Sequence, residues 1–341
     1  MSSNDKILLA HGGGGRLTEQ LIREHILPYF SNASVDELGD SARLDMGGSR
    51  ICFTTDSYVV KPLFFNGGNI GKLAVCGTVN DLAVAGSKPV AISMGLIIEE
   101  GLEIETFRTI IRSASEAAKE AGVIIAAGDT KVVEHGSADK LFINTSGVGL
   151  CVDGAVLGFG RIKEGDSIII NGTIGDHGMA ILAGREALRF ESRIQSDCAP
   201  LNGIISELYK SPVVLARLKF MRDATRGGLA AVLNEIAKAA NISLVIVEKE
   251  LPIRNDVRAA ADMLGFDLLN VANEGKFVAV VDKDVADEAV AIMRKHPLGK
   301  DAAIIGQVGQ RDDDAIVEMA TSIGGSRIVQ MPYGRELPRI C

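Results

Sequence analysis

The side chains in this sequence best suited to chemistry are aspartates that follow glycine-rich turns or predicted strand ends. Carboxylate oxygens without histidine or thiolate partners are the ligands that Mg²⁺ prefers, and such an ion usually joins the protein to nucleotide phosphates. The pattern therefore predicts a magnesium–nucleotide site without a Walker loop. Its candidate ligands are Asp45, Asp56, Asp81, Asp129, Asp176 and Asp223.

Asp81 lies beside Asn80 inside a segment, residues 69–84, whose apolar spacing predicts a helix. Both side chains compete for backbone hydrogen bonds and are unfavourable in a helix interior. A local rule that is broken without local compensation indicates a functional site. We therefore expect Asn80 and Asp81 to bind ATP, with Asp81 also a metal ligand. The alternative is a solvated aspartate on the polar face of the helix.

Another group of chemical residues is the run Gly128, Asp129, Thr130 and Lys131, which follows a predicted strand over residues 123–127. Ligand groups are commonly found at strand ends in α/β folds. We predict that Gly128, Asp129 and Thr130 contact ATP and that Asp129 also binds metal. The alternative is an ordinary polar turn after the strand.

Two glycine-rich segments are candidates for phosphate binding. Residues 12–15 are four glycines followed by Arg16, so backbone amides could approach an anion while the arginine supplies charge. Residues 222–228 precede a predicted helix, whose amino terminus attracts anions. The first segment fits neither a dinucleotide-binding nor a Walker pattern, and a flexible loop is its alternative.

A cysteine, Cys341, is the last residue of the sequence. It is not a prenylation signal, which needs three residues after the cysteine. Prolines in the preceding segment favour an extended backbone, and residues 331–341 could reach roughly 33 Å. This pattern predicts a thiol carried on a tether; a frayed end that happens to carry a cysteine is the alternative.

The composition predicts an α/β protein of two domains. The chain has 341 residues, of which 47% are hydrophobic and only 4% aromatic, together with 38 glycines. Such a chain forms aliphatic cores and many tight turns and is not disordered. The net charge of −8 argues against binding to nucleic acid or to an anionic membrane.

Cysteine and histidine spacing exclude several other classes. The five cysteines form no C-x-x-C pair and the five histidines no i, i+4 pair, so neither a disulfide framework nor a zinc site is predicted. The first residues lack a signal-peptide pattern, and no run of 18 apolar residues predicts a membrane span. We expect a soluble, reduced, cytoplasmic protein.

Alternating strand and helix patterns predict an α/β (α+β) architecture. The predicted elements include helices over 179–188 and 255–264 and a strand over 277–281. We expect a first domain over residues 1–155, a second over 156–325, and a flexible tail over 326–341 that carries Cys341.

Seven motifs together resemble the HypE family of carbamoyl dehydratases, which mature [NiFe]-hydrogenases. The terminal PRIC is specific to that family, whereas the loops alone indicate the wider superfamily of aminoimidazole-ribonucleotide and selenophosphate synthetases. The similarity runs from end to end of the chain. The motifs are HGGGGR (11–16), TDSYV (55–59), GGNIGKL (67–73), GDTKVV (128–133), RDATRGG (222–228), NEGK (273–276) and PRIC (338–341).

The resemblance implies an aminoimidazole-ribonucleotide-synthetase-like fold. Its N-terminal domain would form a homodimer through a shared β-barrel and bind ATP between the two copies. A carbamoyltransferase, HypF, would load a carboxamide on the Cys341 sulfur. ATP would phosphorylate the carboxamide oxygen, and loss of phosphate would give a thiocyanate. The cyanide would then pass to iron held by a HypC–HypD complex.

The same resemblance implies residue roles near the docked tail. Glu274 would act as general base and Lys131 as a point charge on oxygen; an ordinary interdomain ion pair is the alternative. Mg²⁺–ATP would be held by Asp56, Asp81, Asp129 and Asp223, with Asp45 a weaker metal candidate.

Three rival functions remain open from the residues. A selenophosphate synthetase would carry its reactive cysteine near the first glycine loop, yet residues 8–20 contain none. A phosphoribosyl amidine cyclase has no reason to end in a thiol. A non-enzymatic scaffold does not need clustered carboxylates, and it would turn over no ATP.

Overall fold

Two β-sheets with a shared buried helix between them organise the chain. The structure is a computed structural model that describes residues 6–30, 39–185, 193–312, 314–334 and 339–341. No helix in this part of the chain is both long and apolar enough for a bilayer span.

The first sheet has five strands in the order β1–β2–β7–β5–β6. All neighbouring pairs are antiparallel except β5 and β6, which are parallel. Helices α3 and α4 pack against it, and a short hairpin, β3 and β4, precedes α3. The strands are β1 (Ala42–Asp45), β2 (Arg50–Tyr58), β3 (Phe64–Phe65), β4 (Gly68–Asn69), β5 (Ser87–Glu99), β6 (Ile124–Val133) and β7 (Leu141–Cys151); the helices are α3 (Ile70–Val84) and α4 (Ile104–Ala121).

The second sheet has seven strands in the order β14–β13–β10–β12–β8–β11–β9. Only β10 and β13 run parallel to each other. Strand β11 is apolar throughout, β8 is apolar after Ser167, and both are buried, as expected for the centre of a covered sheet. The strands are β8 (Ser167–Ile170), β9 (Leu218–Asp223), β10 (Ile242–Val247), β11 (Phe277–Val281), β12 (Ala303–Arg311), β13 (Val317–Ala320) and β14 (Ser326–Ile328).

The remaining helices lie at the amino terminus and around the second sheet. Short 3₁₀ turns, among them Leu9–Gly12, join several elements. The helices are α1 (Arg16–His25), α2 (Leu27–Phe30), α5 (Asp176–Ala183), α6 (Asn202–Tyr209), α7 (Pro212–Arg217), α8 (Gly228–Ala240), α9 (Asn255–Leu264) and α10 (Ala286–Arg294).

Helix α3 connects the two halves of the fold. It starts at a strong cap, since the Asn69 side chain accepts hydrogen bonds from the backbone amides of Gly71 and Lys72. Its small and aliphatic residues are buried on all sides, against β2, β5 and β7 of the first sheet and against α6 and β9 of the second half. Polar residues within α3 therefore face protein on every side and need partners there.

The end of the chain packs against the amino-terminal glycine loop. The backbone amide of Arg16 donates to the Pro332 carbonyl at 2.9 Å. A methyl group on Gly13 would collide with the Gly334 carbonyl, and one on Gly15 with that of Pro332. The glycines are therefore required because another stretch of backbone lies directly on them.

Three predictions differ from the structure. Strand β6 continues to Val133, so the run 128–131 lies within a strand and not after its end. The predicted tail contains strand β14, which pairs with β13. Its last residues, Ile340 and Cys341, are buried because they fill a gap in the core of the first half.

Some predictions lie outside the described residues: the tail positions 335–338, which include Pro338, and the last part of a helix predicted over 179–188. The domain boundaries stay a prediction.

Candidate active site

Three carboxylates meet where the two halves of the fold touch. Asp81 comes from α3, Asp223 ends β9, and Asp40 precedes β1. One oxygen of each lies within 4.8 Å of the others, which is the spacing of ligands around a metal ion. The packing of α3 against β9 creates this cluster.

Burial makes the cluster electrostatically unfavourable without a cation. It raises the pKa of Asp81 well above its usual range, and the charges of Asp223 and Asp40 raise it further. Burial and Asp40 act on the pKa of Asp223 in the same direction. Arg222 offsets part of this repulsion, since its Nε lies 3.0 Å from the Asp40 carboxylate. Hard oxygen ligands in this arrangement fit Mg²⁺, which would remove the repulsion.

A polar cavity of about 240 Å³ opens beside these carboxylates. Thr54 is bonded within it, because its hydroxyl donates to the Asp81 carboxylate at 2.9 Å. Positive charge and backbone amides at its rim suit phosphate groups. The other lining residues include Gly14, Thr55, Asp56, Thr225 and Arg226.

The final residues of the chain are docked beside this cavity. The backbone amide of Val59 donates to the Cys341 oxygen at 3.1 Å, and that of Lys61 donates to the Arg339 carbonyl at 3.2 Å. His177, at the start of α5, donates from Nε2 to the Ile340 carbonyl at 2.8 Å. The tip of the tail is therefore held through the backbone oxygens of three consecutive residues, Arg339, Ile340 and Cys341.

Asp139 fixes the Arg339 side chain. The guanidinium Nη1 lies 2.6 Å from the Asp139 carboxylate, which also accepts from Lys61 at 2.8 Å. Arg339 Nε donates to the Val59 carbonyl at 2.9 Å. Two charge-assisted bonds on one carboxylate orient the arginine beside the cysteine.

Burial of Cys341 determines the protonation of its thiol. Cys341 is 8% exposed. Burial raises the pKa of its thiol far above the usual value; Arg226 opposes the shift, whereas Glu274 and Asp56 add to it. The docked sulfur therefore carries its proton, and the pocket accepts a neutral group at this position.

Glu274 is the buried acid–base candidate. It is 2% exposed, and its Oε1 has no hydrogen-bond partner among the described residues. Burial, followed by Cys198 and Asp223, raises the pKa of its carboxyl group well above the usual value. Asp197 holds its loop by accepting from the Glu274 amide at 3.0 Å and from Lys276 Nζ at 2.9 Å. An unpaired carboxyl group aimed into a site can take a proton from a docked ligand.

Four predicted residues lie away from the carboxylate cluster within one chain. Asp129 aligns with Gly95, then Asn144, then Ser57 across the first sheet. Three strand spacings are roughly 14 Å, so Asp129 and Asp81 do not share a metal ion in the same chain. Lys131, with Nζ bonded to Asp129 at 2.7 Å, is on the same exposed strand as Gly128 and Thr130.

Three other predicted residues are exposed or already hydrogen-bonded within the protein. Asp45 is exposed and accepts from the Gly47 amide, so it is not part of the cluster. The Arg16 side chain is also exposed. Asn80 uses its amide to bond the Leu201 amide at 2.7 Å and the Glu274 carbonyl at 3.3 Å. It thus positions the Glu274 loop and has no free group for ATP.

Reasoning from sequence missed three residues of the site, and it gave no separate role to Arg226 of the predicted phosphate-binding segment 222–228. Asp40 takes the place predicted for Asp45, and Arg226 supplies the positive charge predicted for Arg16. His177 and Asp197 hold the tail and the Glu274 loop. The glycines flanking His177 at 175 and 178 were the available signal for that residue.

Comparison with known proteins gives the family. Residues 38–151 match the AIR synthase related protein, N-terminal domain, and residues 163–318 match the corresponding C-terminal domain. The carbamoyl dehydratase HypE of Bradyrhizobium diazoefficiens is 48% identical over 99% of this chain and 97% of its own length.

Two solved structures have the same fold. A HypE–HypF complex matches with a TM-score of 0.85 and 49% identity, over 92% of this chain and 99% of the other. HypE in complex with ATP matches with a TM-score of 0.81 and 41% identity, over 98% of this chain and 100% of the other. By the shared domains and end-to-end identity, the chain belongs to the HypE carbamoyl dehydratase family of AIR synthase related proteins.

Proposed function

We propose that this chain is an ATP-dependent carbamoyl dehydratase that acts on its own Cys341. The observation that carries the proposal is the docked tail: its terminal sulfur is buried beside Glu274, Arg226 and Asp56, next to the carboxylate cluster. A neutral S-carboxamide on that sulfur fits a pocket that keeps the thiol protonated.

The reaction has two steps, phosphorylation of the carboxamide oxygen and then loss of phosphate. The carboxamide oxygen of S–C(=O)–NH₂ attacks the terminal phosphorus of ATP, ADP leaves, and nitrogen loses one proton, giving S–C(OPO₃)=NH. The C–O bond then breaks, phosphate departs, and nitrogen loses its second proton, giving S–C≡N. Glu274 would take a proton from nitrogen; its unpaired carboxyl oxygen and its electrostatic influence on Cys341 support this role.

Asp40, Asp81 and Asp223 would hold Mg²⁺, with Asp56 beside them for the nucleotide. The ion supplies charge neutralisation at the phosphates. Thr54 orients the Asp81 carboxylate, and Arg226 faces the sulfur and the cavity together.

The proposal includes a homodimer through the first sheet. The face of that sheet turned away from α3 carries apolar side chains, including Phe53 at 41% and Ile124 at 64% exposure. An exposed apolar face of this kind is typical of a protein–protein interaction site. Pairing with a second copy is the route by which Asp129 and Lys131 would reach an ATP site between the two copies.

The tail must leave the pocket to be loaded, because a buried, protonated thiol is a poor nucleophile. A carbamoyltransferase of the HypF type would load it, in line with the solved HypE–HypF complex. A HypC–HypD iron complex would then receive the cyanide.

Mass spectrometry of the C-terminal peptide tests the function. After incubation with HypF, carbamoyl phosphate and Mg²⁺–ATP, we expect the mass of a carboxamide and then that of a thiocyanate on Cys341. Omitting ATP from this mixture could stop loading by HypF as well as dehydration. Protein that already carries the carboxamide is therefore used to test dehydration alone. A pre-loaded protein that keeps its carboxamide in the presence of Mg²⁺–ATP would exclude dehydration.

A further inference from the structure

The hydroxyl of Tyr58 is buried in the site without a partner. Tyr58 ends strand β2, is 1% exposed, and makes no hydrogen bond through Oη to any described residue. Thr78 Oγ1, which lies near Tyr58 and opposes the rise of its pKa, is itself bonded to the Thr145 hydroxyl at 2.5 Å. A buried polar group left unpaired costs about 1–3 kcal/mol, so this hydroxyl calls for a physical reason.

Helix α3 leaves space for this hydroxyl. A methyl group on Gly77 would collide with Tyr58 Oη. Glycine inside a helix costs roughly 1 kcal/mol relative to alanine. The nearest ring carbons of Tyr58 would lie 3.1 and 3.2 Å from the same methyl group, so Gly77 makes room for the ring and its hydroxyl together.

Tyr58 shares its neighbours with the reactive cysteine. Glu274 and Asp56 raise the pKa of both Tyr58 and Cys341, and both groups act on Arg226. The side chains of Tyr58 and Cys341 lie in one buried cluster, and the next residue, Val59, bonds the Cys341 oxygen. The hydroxyl therefore lies against Gly77 of α3, in the same buried cluster as the docked sulfur.

We propose that Tyr58 is a further catalytic residue, whose hydroxyl donates a hydrogen bond to the carboxamide oxygen on Cys341. This inference rests on the proposed dehydratase function. The bond orients the oxygen towards ATP, and it supports the negative charge on the same oxygen when the C–O bond breaks and phosphate departs. No bond to Tyr58 forms or breaks, and its proton stays on the phenol.

Burial keeps the phenol a donor, since it raises the pKa of Tyr58 well above the usual value. Desolvation also strengthens such a bond, because water does not compete for the oxygen.

The test is Tyr58→Phe, with Tyr209→Phe as a matched control. Tyr209 Oη donates to the Ala83 carbonyl at 3.4 Å, away from the tail. Each protein is loaded with carboxamide, mixed with Mg²⁺–ATP, and followed by quenched mass spectrometry; ATP affinity and melting temperature are measured alongside. For Tyr58→Phe we expect dehydration slowed about 10²-fold, the usual effect of removing one such donor, with ATP affinity unchanged and stability equal or higher.

The control should show the opposite result, a lower melting temperature with unchanged dehydration per folded molecule. Dehydration by Tyr58→Phe at the parent rate would overturn the role of Tyr58 and leave the proposed function standing. If Tyr58→Phe is slow but also has a lowered melting temperature or weakened ATP binding, Tyr58 has a structural role and not a catalytic one. Failure of the parent protein to dehydrate would overturn the proposed function, and this inference with it.

Discussion

Replacing Glu274 by glutamine separates a general base from a structural carboxyl group. The change keeps the size of the side chain and removes its ability to accept a proton. Because Asp197 holds the loop through the Glu274 backbone amide and through Lys276, these bonds survive the substitution. The side chain is 2% exposed and its Oε1 unpaired, so no side-chain hydrogen bond to that oxygen is lost. We therefore expect little change in melting temperature.

The expected loss is in the chemical step alone. Removal of a positioned acid–base group typically slows a reaction by about 10² to 10⁴, which corresponds to about 3–5 kcal/mol of activation free energy. Glu274→Gln should therefore bind Mg²⁺–ATP and accept the carboxamide, yet accumulate the S-carboxamide form. Single-turnover mass spectrometry of the loaded protein measures this directly.

A matched control is Glu248→Gln, a half-buried glutamate of the second half that accepts from the Ser322 amide. It should lower the melting temperature and leave dehydration per folded molecule unchanged. The reasoning is refuted if Glu274→Gln behaves in the same way, because a structural pair would explain that result.

Three further changes test the rest of the site. Asp81→Asn should weaken Mg²⁺–ATP binding by calorimetry without lowering the melting temperature, because it relieves repulsion among buried carboxylates; parent-like affinity would return Asp81 to a structural role. Cys341→Ala should abolish modification and lower stability by about 1 kcal/mol, since the residue is buried; any carboxamide or cyano mass on the variant would contradict this. Burial and the nearby Asp197 raise the pKa of Asp176 to about 6, so its stabilising effect is present below pH 4 and is lost as the pH rises through 6. Asp176→Asn should therefore flatten the fall in the free energy of unfolding between pH 4 and pH 8 by about 2–3 kcal/mol in urea titrations, whereas an unchanged slope would contradict the shift.

Periodic patterns in the sequence were enough to predict the main helices and several strands. The predicted helix over 69–84 differs from α3 only in Asn69, which caps it, and the predicted bounds of α9 and β11 agree with the structure. These elements have a regular apolar spacing or an unbroken apolar run, so local physics determines them.

Strand β9 was missed because its sequence, LKFMRD, has no such pattern. Lys219 is buried there only because Asp166 and Asp282 neutralise it from other elements. Pairing of that kind depends on tertiary contacts that a single sequence does not reveal.

The sequence predicted a carboxylate site but not all of the residues that form it. Asp81 and Asp223 belong to the cluster, as predicted. Asp40 lies just before strand β1 and Asp45 ends it, so the sequence pattern alone does not show which of the two joins the cluster. The choice between them is made by Arg222, which binds Asp40 from the opposite half. Asp129 was placed with them because its strand was predicted to end six residues too early, at 127 and not at Val133.

The shared burial of α3 has a consequence for how the molecule melts. Ala83 and Val84 of this helix lie in one core with Leu201 and Phe277 from beyond residue 155. A fragment ending near that residue would leave the apolar side of its central helix in water. We therefore expect the two halves to unfold in one cooperative transition, seen as a single peak in calorimetry. The cysteine pocket between them would be lost in the same transition.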